Sequence, residues 1–287
     1  MSECIVAENF TKCYGDFKAV NNLNLKVHRG EIFGFLGPNG AGKTTTIRSM
    51  TTLTKPTSGS ITIDGFDVVG DADRVKCVIG VVQQHLSLDR DLSVRENMEF
   101  RARLHHIGLG DRRVRIGELL DYVGLGDCGD RMVDSLSGGM KKRASVVCSL
   151  LHRPRLLFLD EPTVGLDAMA RRRLWDLVRR LNLDGVTVFL TTHYIEEAEA
   201  LCDRVGIMHH GNLIALDTPA NLRNKLGPIA VEYLVDNKKT CYRFFSTRDE
   251  ANAFVLTLHH DAKTVIIRDS NLEDVFVELT GQKVDDT

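Results

Sequence analysis

A chain of 287 residues that is 43% hydrophobic and 26% charged has globular composition, with room for one large α/β domain and a small appendage, and excludes disorder and fibrous repeats. Its formal net charge of −2 provides no general attraction to nucleic acid or anionic lipid. Seven cysteines, an odd number without C-x-x-C pairing, read as reduced thiols, with Cys13 and Cys148 as small packing residues, and exclude a disulfide framework and a zinc site.

No apolar stretch approaches the ~18 residues of a spanning helix, and the N-terminus lacks the apolar core of a signal peptide, so the chain is expected to be soluble and to stay in the cytosol. The first strong signal is the apolar, strand-like run Glu31 to Leu36, followed by G-P-N-G-A-G-K-T-T and the helix-like T-T-I-R-S-M. A polyphosphate must be wrapped by backbone N–H groups, and Gly37, Gly40 and Gly42 let the chain approach it without a Cβ in the way. Pro38, Asn39, Ala41 and Thr45 complete the candidate nucleotide-binding loop. Lys43 can reach the terminal phosphates, Thr44 can offer a hydroxyl to magnesium, and the helix aims its positive end at the anion.

The next segment, 86–135, reads as an inserted helical subdomain. Ser93 and Glu96 form a capping box before N-M-E-F-R-A-R-L, and E-L-L-D-Y-V follows. Leu136, Ser137, Gly138, Gly139 and Met140 then spell L-S-G-G-M, ahead of K-K-R and a helix-like segment from Ala144 to Leu151. A serine and two glycines opening a helix make a second anion site out of N–H groups, a hydroxyl and the helix dipole.

Leu156 to Glu161, L-L-F-L-D-E, is an apolar run ending in two carboxylates, as a buried parallel strand does at its C-terminal edge, where α/β sheets put ligands. Asp160 is positioned for the magnesium shell, and Glu161, one step on, to polarise the water that attacks the γ-phosphate. After Gly227 and Pro228, a linker, strand-like V-E-Y-L-V and C-Y-R-F-F, helix-like D-E-A-N-A-F-V-L-T-L, strand-like T-V-I-I-R and a closing L-E-D-V-F-V-E-L-T-G read as a small α+β appendage.

These motifs, in this order, resemble the ATP-binding cassette (ABC) ATPases from Ile5 to about Leu226. The resemblance implies a RecA-like P-loop core from residues 1–85 and 136–225 with an antiparallel β subdomain, and a division into an ATPase domain, 1–226, and an accessory domain, 227–287. It implies that Tyr14 stacks on adenine and that Gln84, in I-G-V-V-Q-Q-H, contacts magnesium and the attacking water. Its neighbour Gln83 departs from the apolar residue or proline usual there. Asp167, in P-T-V-G-L-D, matches the D-loop residue that crosses between subunits. His193, in T-T-H-Y, matches the switch histidine on the γ-phosphate.

The same resemblance implies a head-to-tail homodimer, or a heterodimer with a second ATPase subunit, sandwiching two ATP molecules and Mg2+. Ser137 of one subunit would face the phosphate loop of the other. It further implies attachment to the cytoplasmic face of the membrane through a separate permease, which the helical insert would grip. No nucleic-acid partner is expected. H-Y-I-E-E-A-E-A-L-C-D-R-V and the closing L-E-D-V-F-V-E-L-T-G resemble the daunorubicin-resistance branch of exporters. An importer ATPase, and more remotely a soluble ABC ATPase acting on DNA or ribosomes, stand as alternatives.

Overall fold

Alternation of apolar and polar residues along Phe17–His28 (β2) makes one face of that strand buried, and it pairs antiparallel with Glu3–Tyr14 (β1) across a tight turn at Gly15 and Asp16. The structure, a computed structural model, describes residues 2–85, 87–235, 239–258 and 265–281. The start of the expected helical insert at Leu86, the first residue of the expected strand at Thr264 and the tail 282–287 lie outside the described residues.

After the hairpin come Ile32–Leu36 (β3), Lys43–Met50 (α1), Ser58–Ile63 (β4), Phe66–Asp67 (β5), Ala72–Val78 (α2) and Ile79–Val82 (β6). The helical segment holds Val94–Leu104 (α3) and Leu109–Tyr122 (α4). The chain then alternates Gly138–Ser149 (α5), Leu156–Asp160 (β7), Ala168–Leu183 (α6), Thr187–Thr192 (β8), Ile195–Leu201 (α7), Arg204–His209 (β9), Asn212–Asp217 (β10) and Pro219–Leu226 (α8). The C-terminal part is Ile229–Val235 (β11), Lys239–Phe245 (β12), Arg248–Thr257 (α9), Val265–Asp269 (β13) and Leu272–Thr280 (α10).

The main sheet has the order β10-β9-β3-β8-β7-β6, parallel throughout except for β10. Strands β3, β7 and β8 are buried at every position, as parallel strands covered on both faces must be. Their side chains split by period two between two cores. Leu36, Leu157, Leu159, Val188 and Leu190 join α3 to α6 in one. Phe33, Phe35, Phe158 and Phe189 join α1 and the antiparallel sheet β2-β1-β4-β5 in the other. Phe189 lies 5.2–5.4 Å, ring centre to ring centre, from each of the other three phenylalanines, so this core is an aromatic cluster.

Both halves of the expected capping box form at α3, where Glu96 N–H donates to Ser93 Oγ and Ser93 N–H to the Glu96 carboxylate. Helices α3 and α4 bury Met98, Ala102, Ile116 and Leu120 in the same core as Val147 of α5. At the C-terminus β12-β11-β13 form a separate antiparallel sheet, with Phe254 of α9 against Tyr233 and Phe245. Helix α10 turns back from it. Its Leu272, Val275 and Phe276 are buried with Leu201 of α7 and Leu222 of α8 in the main core.

Candidate nucleotide site

Strand order brings the C-terminal ends of β3, β8 and β7 side by side, so Gly37, Thr192 and Asp160 meet at one sheet edge although they are far apart in sequence. The loop after β3 is clamped there: Gly37 N–H donates to the Thr192 carbonyl at 3.3 Å, and Gly211 N–H to the Ala41 carbonyl at 3.0 Å. A Cβ on Gly37 would collide with the Met208 carbonyl, and one on Gly42, at φ 104°, with the Ala19 carbonyl. Glycine is required at both for the loop to lie this close to its neighbours. Helix α1 starts at Lys43 with no side-chain cap on Gly42 and no acid in its first turn, which leaves its positive end free for an anion.

Lys43 is 4% exposed. Its Nζ donates to the carbonyls of Gly37 (2.5 Å) and Pro38 (2.9 Å) and stands 3.5 Å from Glu161 Oε1. Burial draws its pKa down, against the pull of Glu161. Thr44 Oγ1 donates to Asp160 Oδ1 at 3.2 Å, and Thr191 Oγ1 donates to the same oxygen at 2.6 Å.

Glu161 sits just past β7 in the left-handed backbone region, φ 44°, which is costly for a residue with a Cβ and is found at functional sites. Its N–H is held by Thr191, through the carbonyl oxygen and Oγ1, both at 3.1 Å. Gln84 Nε2 donates to Glu161 Oε2 at 3.1 Å, and His193 Nδ1 lies 3.3 Å from Oε1. Burial pushes this carboxyl's pKa up, but His193 and the Lys43 ammonium outweigh it and hold it below the usual glutamate range. An ionised carboxylate thus faces the loop, next to an amide and an imidazole.

A cleft of about 250 Å³ opens beside the loop, lined by Asn39 to Thr45, Gln84, Glu161, Ala19 and the hairpin aromatics Tyr14 and Phe17. The expected stacking residue Tyr14 is exposed, with Lys12 Nζ 5.1 Å from its ring centre. Leu136 to Met140, Asp167 and His193 do not line this cleft. Ser137 instead caps α5, its Oγ accepting from Met140 N–H at 3.3 Å, and Asp167 caps α6, accepting from Ala170 N–H at 2.8 Å. The two helix starts are neighbours, since a Cβ on Gly139 would press on Ala170.

Sequence reasoning missed Phe17 and Thr191. Phe17 faces Tyr14 across the turn, a pairing that a hairpin reading of Y-G-D-F would have found. Thr191 is visible only once β7 and β8 are known to be adjacent. Among the described residues no cluster of three or more His, Cys, Asp or Glu side chains is spaced to hold a metal, and no helix is long and apolar enough to cross a membrane.

Residues 20–164 match the family model described as ABC transporter. The chain is 38% identical to a daunorubicin resistance ATP-binding protein of Streptomyces coeruleorubidus, over 96% of each chain. It is 34% identical to the linearmycin resistance ATP-binding protein of Bacillus subtilis, over 98% of this chain and 99% of the relative. With the Nod factor export ATP-binding protein I of Cupriavidus metallidurans it shares 37% identity over the whole of both chains. Among solved structures, cbiO1 of Clostridium perfringens, part of the ABC transporter complex cbiONQ, superposes with a TM-score of 0.71 at 29% identity, covering 76% of this chain and 89% of that one. An ATP-binding subunit of an ABC transporter superposes with a TM-score of 0.74 over 96% of this chain and 99% of that one, at 24% identity, a likeness of fold. The chain belongs to the ABC transporter family, as an ATP-binding subunit that hydrolyses ATP.

Proposed function

We propose that this chain is the energy-coupling subunit of an exporter: two copies close head-to-tail on two ATP molecules and drive a separate membrane permease that expels a drug, lipid or similar amphipathic compound. The observation that carries the reading is the convergence of Lys43, Gln84 and His193 on Glu161 beside a glycine loop built for phosphate. Glu161 polarises the attacking water, His193 and Lys43 hold the γ-phosphate, and Tyr14 stacks on the adenine. Phe17 extends that platform.

The donor set fits magnesium. The Thr44 hydroxyl and Asp160 carboxylate are hard oxygen ligands 3.2 Å apart, and a Mg2+ site of this kind is completed by substrate phosphates and water, not by a protein cage. Thr44, Asp160 and Gln84 would hold the ion, which neutralises charge on the β- and γ-phosphates.

Ser137 and Gly138 are exposed at the start of α5 and lie outside the cleft. Ser137 bonds within its own helix start, whereas His193, also outside the cleft, stands 3.3 Å from Glu161; this supports Ser137 and Gly138 serving the ATP of a partner subunit. The same holds for Asp167. Attachment to the cytoplasmic face through the helical segment, and an accessory role for residues 227–287, follow from this reading. Names of relatives that denote drug resistance and Nod factor export support the outward direction. The test is accumulation of doxorubicin and of a fluorescent lipid in cells expressing the chain with its membrane subunit. Wild type should lower accumulation of at least one and Lys43→Ala should not. Equal accumulation in both, of doxorubicin and of a fluorescent lipid alike, would refute the export reading.

A further inference from the structure

Lys142 has no place in the chemistry above, yet it joins the two anion-facing parts of the chain. It lies on α5, the helix that Ser137 caps, and its Nζ donates to the Gln83 carbonyl at 3.1 Å and reaches the Gln84 carbonyl at 3.5 Å. A lysine this close to the surface ordinarily leaves its ammonium in water, because fixing the stem forfeits its rotamer freedom. Here the side chain is half-buried, and the carboxylates whose field it feels are Asp160, Glu197 and Glu161. Gln83 and Gln84 are themselves exposed, on the loop that leaves β6. One ammonium thus anchors the backbone of the residue whose side chain holds Glu161.

We propose that Lys142 is a positioning residue that couples the start of α5 to the Gln84 loop, so that phosphate engagement at Ser137 sets where the Gln84 amide stands against Glu161. The link presupposes the roles proposed for Ser137, Gln84 and Glu161. An α-helix is stiff over the one to two turns between Ser137 and Lys142, a rise of about 7.5 Å, so a shift at its N-terminus reaches the Lys142 backbone, and the bonds of its ammonium to the Gln83 and Gln84 carbonyls pass it to the loop. In a head-to-tail dimer Ser137 answers to one ATP and Gln84 to the other. Lys142 would make the two hydrolysis sites sense each other.

Lys142→Met preserves the apolar stem and removes the charge. In steady-state hydrolysis of Mg-ATP, kcat should fall about tenfold while the half-saturating ATP concentration stays within about twofold. The Hill coefficient for ATP should drop toward about 1. Lys142→Arg, which keeps charge and donors, should recover most of both. In a Glu161→Gln background Lys142→Met should still dimerise with ATP, a result that a misfolded chain cannot give. If Lys142→Met itself fails to fold, Lys142→Gln takes its place in the same comparison. An unchanged kcat and Hill coefficient, or equal losses in the Met and Arg variants with a lowered Tm, would overturn the link. A wild-type chain with no ATPase activity, or one indifferent to Glu161→Gln, would sink the Glu161 reading as well. That result is distinct from an active, cooperative enzyme that ignores Lys142.

Discussion

The side-chain amide of Gln84 donates to Oε2 of Glu161 across 3.1 Å, joining the loop after β6 to the residue just past β7. Because β6 and β7 are adjacent in the sheet, this bond bridges neighbouring strand ends, and the carboxylate has three partners at once: Gln84, His193 and Lys43. A group held this way has one orientation, which general-base chemistry requires. Glu161→Gln keeps the shape and removes the base. Hydrolysis should fall about 10²–10⁴-fold with ATP affinity little changed, as measured by phosphate release and by equilibrium titration.

Lys43→Ala removes the buried cation that the Gly37 and Pro38 carbonyls hold in the loop. Loss of a charge-assisted contact to phosphate should weaken ATP binding by about 10–100-fold, measured by calorimetric titration. The same change takes away one of the groups that hold the Glu161 pKa down. The carboxyl should therefore titrate at higher pH in Lys43→Ala than in the wild type.

Lys43→Ala and Ser137→Arg chains should each be inactive alone, and their mixture should regain activity. Head-to-tail assembly of the two puts both lesions in one site and leaves the other site whole. Random pairing then restores up to about a quarter of the wild-type sites. Absence of any recovery in mixtures shown to exchange subunits would contradict the assignment of Ser137 to the partner's ATP.

His152 sets a pH dependence remote from the nucleotide. Its Nε2 bonds the Ile79 carbonyl at 2.8 Å and its ring stacks on His105, with centroids 3.9 Å apart. Burial first, and His105 second, bring its pKa from 6.5 down to about 4. Between those values the unfolded chain binds the proton and the folded one does not, so this contribution to stability is complete above about pH 6.5 and is lost as pH falls toward about 4. The Tm of the wild type should drop more steeply over that window than the Tm of His152→Gln.

Phe189 contacts Phe33, Phe35 and Phe158 in the core beneath the site. Phe189→Ala should lower unfolding stability by about 3–5 kcal/mol, read from urea denaturation. A loss below about 1 kcal/mol would mean the cluster collapses to fill the space.

Features that depend on neighbours in sequence were legible. The glycine loop, the Ser93–Glu96 cap and the apolar run ending at Asp160 all stand where local chemistry put them. Features that depend on strand order were not. Thr191 reaches Asp160 only because β8 lies next to β7, and α10 returns to α7 and α8 from beyond a separate sheet. The helix opened by L-S-G-G was legible as well: α5 begins at Gly138 with Ser137 as its cap. Two glycines argue against helix by propensity, but the Ser137 cap and the close approach of Gly139 to Ala170 override it. Phe17 reads as an exposed turn residue until the cleft beside Tyr14 is seen.

Sedimentation velocity of the Glu161→Gln protein with and without Mg-ATP tests binding, closure and the role of Glu161 together. The sandwich account requires a monomer without nucleotide and a dimer with it, the closed form persisting because hydrolysis is blocked. A chain that binds ATP with undiminished affinity and stays monomeric at every concentration would contradict it.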